Sequence, residues 1–442
     1  MAKSFIEKVP FHFKYGLYDI FSENNQRYFF KYLEVDEKGR YLYWDQLKWR
    51  VEENDDPLIA WYAVKSARTN GRKLLHLENK ENDYFHYSVP EVLQGQLYQI
   101  MEFSRVGLVP NDSMGNMYLL SSLTMEEAIN SSQLEGASTT RRVAKEMLRT
   151  NRKPKNENEL MIYNNYLLMK EVKVEKDEEL SVDIILKFHK IATKDTIDND
   201  VVPGHFRVDD EIYIADRDNN ILYKPPAHTE INSRMKALCK FANKKHEGID
   251  FMHPVIKAII LHFMIGYIHP FSDGNGRTAR ALFYWFMLRN GYDYFEYISI
   301  SKLLKEAPAK YSKSYQYVEA DDNDLNYFIF YQIEIILRAI EDLRKHLEVK
   351  SREYEEINSI LQKSHLNKTL NFIQKDIIKK AIKNPGKIFT ANEIAIDYDI
   401  AINTARTYLS KLMEYEILSP YKKGRTKAYI APANIHEIIK AN

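Results

Sequence analysis

The sequence predicts a mainly α-helical protein, in which a helical core carries a β-hairpin and a separate C-terminal domain follows. Helical periodicity recurs along most of the chain after residue 89, whereas residues 211–226 alternate apolar and polar positions around a turn. The residues from 364 onward carry a net positive charge, whereas the rest of the chain is net negative. A chain of 442 residues is too long for one hydrophobic core, so we expect two or three domains.

The helices are predicted in order from the spacing of apolar residues and from their end signals. The first 90 residues are aromatic and mixed in pattern, and they indicate no chemistry. A helical region follows from Val89 to Thr150, interrupted at Gly107 and Pro110. Further helices are predicted at residues 182–196, 229–245, 255–267, 277–289 and 300–318, with a long bracing helix at 324–362.

The hairpin prediction rests on residues 211–226. Apolar residues alternate with polar ones on both sides of Asp218-Asn219-Asn220, and Pro225 and Pro226 end the segment.

The tail from residue 364 predicts a small domain with a basic hairpin. A helix-like stretch ends at Asn384-Pro385-Gly386, a capping box from Thr390 to Glu393 opens a short helix, and another helix follows at about 403–416. The basic segment SPYKKGRTKAYIAP comes next. This order of elements is typical of a winged helix. The tail holds 13 Lys and Arg against 7 Asp and Glu, a net charge of +6, so an anionic partner is plausible there.

Composition places the chain among ordinary globular proteins, with 45% hydrophobic and 28% charged residues. The single cysteine, Cys239, excludes an intramolecular disulfide, fits a reducing compartment and is predicted to lie in the core. The N-terminus has no apolar segment typical of a secretory signal, and the apolar runs 255–268 and 281–288 are too short to span a bilayer. We therefore expect a cytoplasmic protein without membrane contact.

Residues 269–280, HPFSDGNGRTAR, carry the chemistry that the sequence reveals. Gly274 and Gly276 allow successive backbone amides to converge on an anion, and a helix predicted to begin at Arg277 adds the positive end of its dipole. Asn275 can add a side-chain donor. Arg277 and Arg280, three residues apart, share one helix face and can grip a polyphosphate.

Two further groups complete this set. Asp273 is a hard oxygen ligand suited to Mg²⁺ that bridges phosphates, and His269, after an apolar helix, can accept a hydroxyl proton. Phe271 is predicted to be buried in the hydrophobic core. Each of these features is weak by itself. A histidine after an apolar helix more often has a structural role, a Gly-Asn-Gly turn usually binds nothing, and arginines three residues apart commonly lie on a solvent-exposed helix face. Their combination in twelve residues favours a nucleotide site. It is not a Walker loop, because no Gly-Lys-Ser/Thr follows.

HPFSDGNGRTAR resembles the signature of the Fic (filamentation induced by cAMP) family, H-P-F-x-[D/E]-G-N-G-R-x-x-R, at every fixed position. The resemblance implies a helical core with one β-hairpin flap and transfer of AMP from ATP to a protein Ser, Thr or Tyr hydroxyl. It makes His269 the general base and Asp273 the Mg²⁺ (or Mn²⁺) ligand. The amides of residues 274–276 bind phosphate, and Arg277 and Arg280 hold the outer phosphates.

The resemblance extends upstream and weakens downstream. GHFR at residues 204–207 and the hairpin at 211–226 are similar to the family flap region, so Ile212, Tyr213 and Ile214 are expected to dock the target protein by strand addition. A hairpin without this role remains the alternative. The family's Asn-Lys and Tyr-Tyr pairs are missing near residues 306–308 and 311–312, which leaves the base preference open.

The segment SSQLEG, Ser131 to Gly136, matches the family's inhibitory pattern [S/T]-x-x-x-E-[G/N] at the end of a predicted helix. The resemblance assigns Glu135 to Arg280, which would then be unable to hold the γ-phosphate. A surface glutamate ending a helix is the alternative. Because the pattern precedes the signature, the chain resembles the N-terminally inhibited class.

These patterns leave alternatives for activity. The same glutamate orients water in some family members, so removal of AMP from a protein is a second candidate activity. A DNA-binding regulator is a third, because Lys422, Lys423, Arg425 and Lys427 make a basic wing, although winged helices also bind proteins. A homodimer is left open.

The predicted division has four parts. They are an N-terminal region without assigned role (1–90), a helical lobe with the inhibitory helix (91–180), the Fic core with its bracing helix (181–362) and a winged helix (363–442).

Overall fold

The computed structural model describes residues 6–10, 25–106, 123, 125–196, 202–215, 221–361, 366–398, 400–423 and 426–441. The chain forms two compact units. The first unit comprises Met1–Ser104, Leu167–Phe295 and Ile300–Arg338, and the second comprises Arg105–Tyr166, Glu296–Ser299 and Ala339–Asn442. The mainly helical fold is confirmed, and the division into four parts stays a prediction.

Helices dominate the chain up to residue 361. They are α1 (Gln26–Lys31), α2 (Trp44–Leu47), α3 (Pro57–Asn70), α4 (Glu91–Val106), α5 (Glu126–Leu134), α6 (Arg141–Thr150), α7 (Glu157–Val174), α8 (Val182–Thr193), α9 (Ile231–Asn243), α10 (Pro254–Ile268), α11 (Asn275–Arg289), α12 (Ile300–Glu306), α13 (Pro308–Ala320) and α14 (Asn326–Leu361). Two antiparallel hairpins accompany them: β1 (Lys73–Glu78) with β2 (Tyr84–Tyr87), and β3 (Ile214–Ala215) with β4 (Ile221–Tyr223).

The centre of the first unit is the helix pair α10 and α11, which pack along each other. α10 buries every residue except Pro254 and Gly266, as expected for a helix that is apolar on all sides. α9 packs on α10, and α8 packs on α11. The loop of residues 269–274 joins the central pair, so this packing fixes both of its ends.

The N-terminal residues belong to the same unit. The buried guanidinium of Arg68 donates to the Tyr327 hydroxyl at 2.7 Å and to the Leu42 carbonyl at 2.9 Å. β2 is tied to the start of α14, because the amide of Leu325 donates to the carbonyl of His86 at 2.9 Å. Cys239 on α9 is buried, as predicted.

The second unit holds α5, α6 and a tail domain. Met125, Ile129, Ala144 and Met147 belong to the cluster that joins α5 to α6. The tail contains α15 (Leu366–Thr369), α16 (Phe372–Lys383), β5 (Ile388–Thr390), α17 (Ala391–Asp397), α18 (Ile402–Glu414), β6 (Ser419–Lys423), β7 (Thr426–Ile430) and α19 (Ile435–Ala441). The strands form an antiparallel sheet in the order β5-β7-β6.

Several predicted element boundaries were wrong. The helix predicted at 277–289 begins at Asn275, because Gly274 takes the capping position. The helix predicted at 300–318 is two helices, since Pro308 cannot continue the first and begins the second. α7 was not predicted. The predicted hairpin turn at Asp218-Asn219-Asn220 lies outside the described residues.

Among the helices of the described ranges, none combines the length and the apolar character that a bilayer crossing needs.

Candidate active site

His269 lies at the C-terminal end of α10, as predicted. Its amide donates to the carbonyl of Ile265 at 3.0 Å, and its backbone is left-handed, with φ 48° and ψ 59°. This conformation is uncommon for residues other than glycine. Pro270 follows and cannot continue the helix, so the chain leaves α10 at the imidazole.

A backbone contact fixes the tautomer of the His269 ring. Nδ1 lies 3.3 Å from the carbonyl oxygen of Gly266. Because a carbonyl only accepts, the neutral ring carries its proton on Nδ1 and keeps a lone pair on Nε2. The side chain is half-buried. In this tautomer Nε2 is the ring nitrogen that can accept a proton.

The loop after His269 is held from inside. Phe271 is fully buried, as predicted. The Asn275 side chain accepts from the amide of Phe271 at 3.0 Å and donates to its carbonyl at 2.7 Å. The amide group of Asn275 is thus engaged by the loop itself. An anion at the start of α11 would meet backbone amides rather than this side chain.

Gly274 is the N-cap of α11 and has a left-handed backbone, with φ 79°. A Cβ atom there would lie 2.5 Å from Cγ2 of Thr193, so both the conformation and the space require glycine. Gly274 has no side chain that could accept hydrogen bonds from the first backbone amides of α11. The first-turn amides of a helix have no intrahelical acceptor and point outward, which favours an anion.

The charged residues of the signature surround this helix start. Asp273 is half exposed, and its Oδ2 accepts from the Arg277 guanidinium at 2.8 Å. Arg277 is buried and also donates to the Ala192 carbonyl at 2.6 Å, so it positions Asp273 and anchors α11 to α8. Arg280, one turn further, is buried as well. Among the described residues, no group of three or more His, Cys, Asp or Glu forms a metal site made of protein side chains alone.

Residues 179–287 match the model of the Fic/DOC family. The chain carries a Fic domain. It is similar to proteins named protein adenylyltransferase Fic, with 28% identity over 137 residues to that of Nematostella vectensis and 31% over 128 residues to that of Drosophila melanogaster. These alignments cover 28% and 27% of this chain, and the chain spans only 30% and 26% of the two relatives' length.

One solved structure shows a similar fold. A fragment of Fic-1 from C. elegans superposes with a TM-score of 0.50 at 15% identity, covering 70% of this chain and 81% of that fragment. At this identity the likeness shows the fold.

Sequence reasoning missed His189, a buried residue of the Fic domain on α8. Its Nε2 lies 3.0 Å from the Asp273 carbonyl, and its Nδ1 accepts from the amide of Gly204 at 3.0 Å. The ring also stacks on Phe271 with centroids 3.7 Å apart. Burial lowers the pKa of His189 to about 4, so the ring is neutral and positions the loop. Nothing in the local sequence of α8 distinguishes this histidine from a core residue.

Arg207 is a second residue whose role the sequence did not predict, although the GHFR segment that contains it resembles the family flap region. Its side chain is buried, and its Nε donates to the His269 carbonyl at 3.0 Å. Its backbone amide donates to the Pro270 carbonyl at 2.9 Å. The Fic domain therefore braces the backbone of His269 from the segment that leads into the hairpin.

The three flap residues lie where the Fic domain forms its hairpin. Ile214 pairs with Tyr223 across β3 and β4. Tyr213 is 55% exposed, while Ile212 and Ile214 are half-buried. An exposed aromatic beside a two-residue strand is compatible with docking another chain, and that role stays a prediction.

The predicted inhibitory residues lie in the second unit. α5 ends at Leu134, Glu135 occupies its C-cap with an exposed side chain, and Gly136 follows with φ 102°. Ser131 is buried within α5. The end of this helix matches the sequence prediction, whereas the pairing of Glu135 with Arg280 stays a prediction.

Proposed function

We propose that this protein is an adenylyltransferase that moves AMP from ATP to a Ser, Thr or Tyr hydroxyl of a target protein. The observation that carries the proposal is the contact of His269 Nδ1 with the Gly266 carbonyl, which favours a proton-accepting Nε2 beside the loop that leads to the start of α11. The names of the similar Fic proteins support the same activity. A single, buried cysteine suits a cytoplasmic protein.

In this proposal, the phosphates of ATP bind at the start of α11. The backbone amides of residues 274–276 and the helix dipole attract them, and Gly274 allows their close approach. Arg280 holds the outer phosphates. Arg277 contributes by fixing Asp273, in addition to any contact with phosphate.

The reaction is an in-line substitution at the α-phosphorus of ATP. The target hydroxyl oxygen forms a bond to this phosphorus while the bond to the bridging oxygen breaks, and pyrophosphate leaves. Nε2 of His269 takes the hydroxyl proton, a step worth about 10²–10⁴-fold in rate. Positioning and charge neutralisation supply the rest.

Asp273 fits a divalent cation that is shared with the phosphates. Its side chain is half exposed, and one carboxylate oxygen is fixed by Arg277, which leaves the other for a cation. Mg²⁺ or Mn²⁺ bound there would neutralise phosphate charge. A single protein carboxylate suits a site in which phosphates and water provide the other ligands.

We propose that the hairpin receives the target. β3 pairs with β4 on one side, so its other edge can add an extended segment of the target chain. Tyr213, which is largely exposed, would lie against that segment, between Ile212 and Ile214.

We propose that Glu135 restrains the activity by pairing with Arg280. The support is the SSQLEG pattern and its place at the end of α5, where Glu135 follows the last helical turn. A buried guanidinium bound to a carboxylate could not hold the γ-phosphate, and ATP would bind in an unproductive position.

Radiolabel transfer tests the activity and its restraint together. Glu135→Gly, incubated with α-labelled ATP, Mg²⁺ and a cell lysate, is expected to label protein at least tenfold faster than the unaltered chain. Adding His269→Ala should remove the label while ATP binding, measured by calorimetry, persists. His76→Ala is the matched control, because His76 is an exposed imidazole on β1.

Each result has a defined consequence. Equal labelling with and without His269 contradicts its role as the base, and equal labelling by the unaltered chain and Glu135→Gly contradicts the restraint. Loss of label from a pre-modified target, at a rate that falls in Glu135→Gly, would instead assign removal of AMP.

A second function is proposed for residues 366–441, contact with duplex DNA through a winged helix. α18 buries Ala405, Leu409 and Leu412 and exposes Arg406 and Thr407 on another face. The hairpin of β6 and β7 supports the same proposal. Lys422 lies directly opposite Lys427, and both are exposed. Like charges opposite each other destabilise a sheet, and an anionic partner would relieve this.

DNA contact is tested on the full chain. Affinity for a labelled duplex should fall steeply between 50 and 200 mM salt, roughly as expected for several phosphate contacts. Lys422→Glu should abolish binding, whereas Lys345→Glu on the exposed face of α14 should not. Salt-independent or absent binding would leave the tail as a protein-binding module.

A further inference from the structure

Arg207 contacts both the loop of residues 269–274 and the base of the hairpin. Two residues just before Arg207 support the same loop. The Gly204 amide donates to His189, which contacts the Asp273 carbonyl, and the Phe206 ring packs against Phe271. Five polar contacts of Arg207 reach either the loop or the base of the hairpin.

One group of contacts fixes the backbone of His269. The Arg207 amide donates to the Pro270 carbonyl at 2.9 Å, and its Nε donates to the His269 carbonyl at 3.0 Å. His269 is left-handed without being glycine. Such a backbone persists only where its surroundings determine it, and Arg207 holds two consecutive carbonyls there.

The other group of contacts closes the base of the hairpin. Nη1 of Arg207 donates to the Asp209 carbonyl at 2.6 Å and to the Asp210 carboxylate at 2.8 Å, on the side where the chain enters the hairpin. Nη2 donates to the Pro226 carbonyl, on the side where the chain leaves the hairpin. One rigid guanidinium therefore spans both ends of the hairpin and the histidine backbone.

Asp210 strengthens this link. Its carboxylate also accepts from the amide of His228 at 2.7 Å, just beyond the hairpin. The bonds from His228 and Arg207 lower the pKa of Asp210 to about 2, so it stays ionised and paired at neutral pH. The contact is thus present throughout the pH range in which the enzyme would work.

We propose that Arg207 is a positioning residue that couples the hairpin to His269, so that a target segment docked on β3 and the proton-accepting Nε2 keep one mutual geometry. The inference rests on the proposed AMP transfer. It assigns Arg207 no contact with substrate. Its effect arises because in-line substitution depends on the placement of the attacking hydroxyl and its base.

The test compares Arg207→Ala and Arg207→Lys with Arg234→Ala, all in the Glu135→Gly background. Arg234 on α9 is the matched control, since it donates to the carbonyls of Glu78 and Asn79 and pairs with Glu230, away from the loop. Calorimetry measures ATP affinity, and circular dichroism verifies folding.

We expect Arg207→Ala to lower kcat for AMP transfer at least 30-fold, with ATP affinity changed less than threefold. Lysine keeps the charge but not the planar fork, so Arg207→Lys should recover only part of the loss. Arg234→Ala should stay within twofold in kcat. A folded Arg207→Ala with unchanged kcat overturns the proposal, as does an equal loss in Arg234→Ala.

A readout without activity separates this inference from the proposed function. Imidazole ¹⁵N spectra report which ring nitrogen of His269 is protonated, and Arg207→Lys should shift its Nδ1–H population while Arg234→Ala should not. If the parent transfers no AMP but this shift occurs, the activity is wrong and the positioning stands. If His269 signals are unchanged in both Arg207 variants, the positioning is wrong. Arg207→Lys keeps the test valid if Arg207→Ala does not fold.

Discussion

The Asp273 carboxylate accepts a hydrogen bond from the Arg277 guanidinium at 2.8 Å, and that guanidinium is buried while the carboxylate is half exposed. The pair lies one helical turn apart at the start of α11. Arg277 is held from the other side by the Ala192 carbonyl. Arg277 therefore orients the carboxylate that is proposed to bind the cation, whereas the sequence alone assigned this arginine to phosphate contact.

This relationship predicts that Arg277→Lys weakens the affinity of the proposed site for Mg²⁺. Lysine cannot bond to Asp273 and the Ala192 carbonyl in the same planar geometry. Residues that orient a ligand typically alter metal affinity by about 10–100-fold when changed. We expect the Mg²⁺ concentration for half-maximal AMP transfer to rise about tenfold or more. Arg289→Lys, at the other end of α11, is the control, and a similar rise there would contradict the prediction.

Gly274→Ala should destabilise the first unit through two separable effects. The left-handed backbone costs about 1–2 kcal/mol with alanine, and the contact with Thr193 adds about 1–3 kcal/mol. Thr193→Ser in the same chain removes the clashing methyl group and should recover the second part. Gly291→Ala isolates the first part, because Gly291 has φ 81° and open space around it.

Urea unfolding followed by tryptophan fluorescence measures these effects, since all four tryptophans lie in the first unit. Equal losses for Gly274→Ala and Gly291→Ala would show that the Thr193 contact relaxes freely.

The stability of the first unit should fall as the pH drops below about 6.5. The folded pKa of His189 is about 4, against an ordinary 6.5, because its burial disfavours the charged ring. Between these values the unfolded chain binds a proton that the folded chain does not, so stability is lost as the pH falls. The stabilisation is fully present above pH 6.5.

His189→Gln should flatten this dependence. Glutamine can still donate and accept but does not titrate. Between pH 7 and 4.5 the unaltered protein should lose roughly 2–3 kcal/mol more than the variant, measured by the same urea unfolding. Other buried histidines titrate equally in both chains and cancel. Parallel pH profiles would contradict the assigned protonation state.

The twelve residues of the signature could be predicted because their chemistry is local. His269, Asp273 and Gly274 lie within six residues of one another, and Pro270 and Gly274 mark the helix ends themselves. The coarse helical fold followed from apolar spacing for the same reason.

The supports of this loop could not be predicted, because they come from distant positions. His189 lies 84 residues before its partner Asp273, and Arg207 lies 62 residues before His269. A histidine inside an apolar helix has no local sign of its role. Only the packing of α8 and the GHFR segment against the loop creates it.

Contacts within the second unit predict that the tail stabilises the helix that carries the inhibitory pattern. Ile396 on α17 packs against the cluster of α5 and α6, and Arg149 on α6 pairs with Asp397 at 2.8 Å. Removing the half-buried Ile396 side chain should cost about 1–2 kcal/mol. Ile396→Ala should therefore raise amide hydrogen exchange in residues 126–150, measured by mass spectrometry.

Ile402→Ala is the matched control, because Ile402 is 44% exposed at the start of α18. Unchanged exchange at 126–150 in a folded Ile396→Ala chain would show that α5 is stable without the tail. If exchange rises and Glu135 acts as proposed, Ile396→Ala should also raise AMP transfer, whereas in the Glu135→Gly background it should have no further effect. That difference arises because a loosened helix can only release a restraint that is still present.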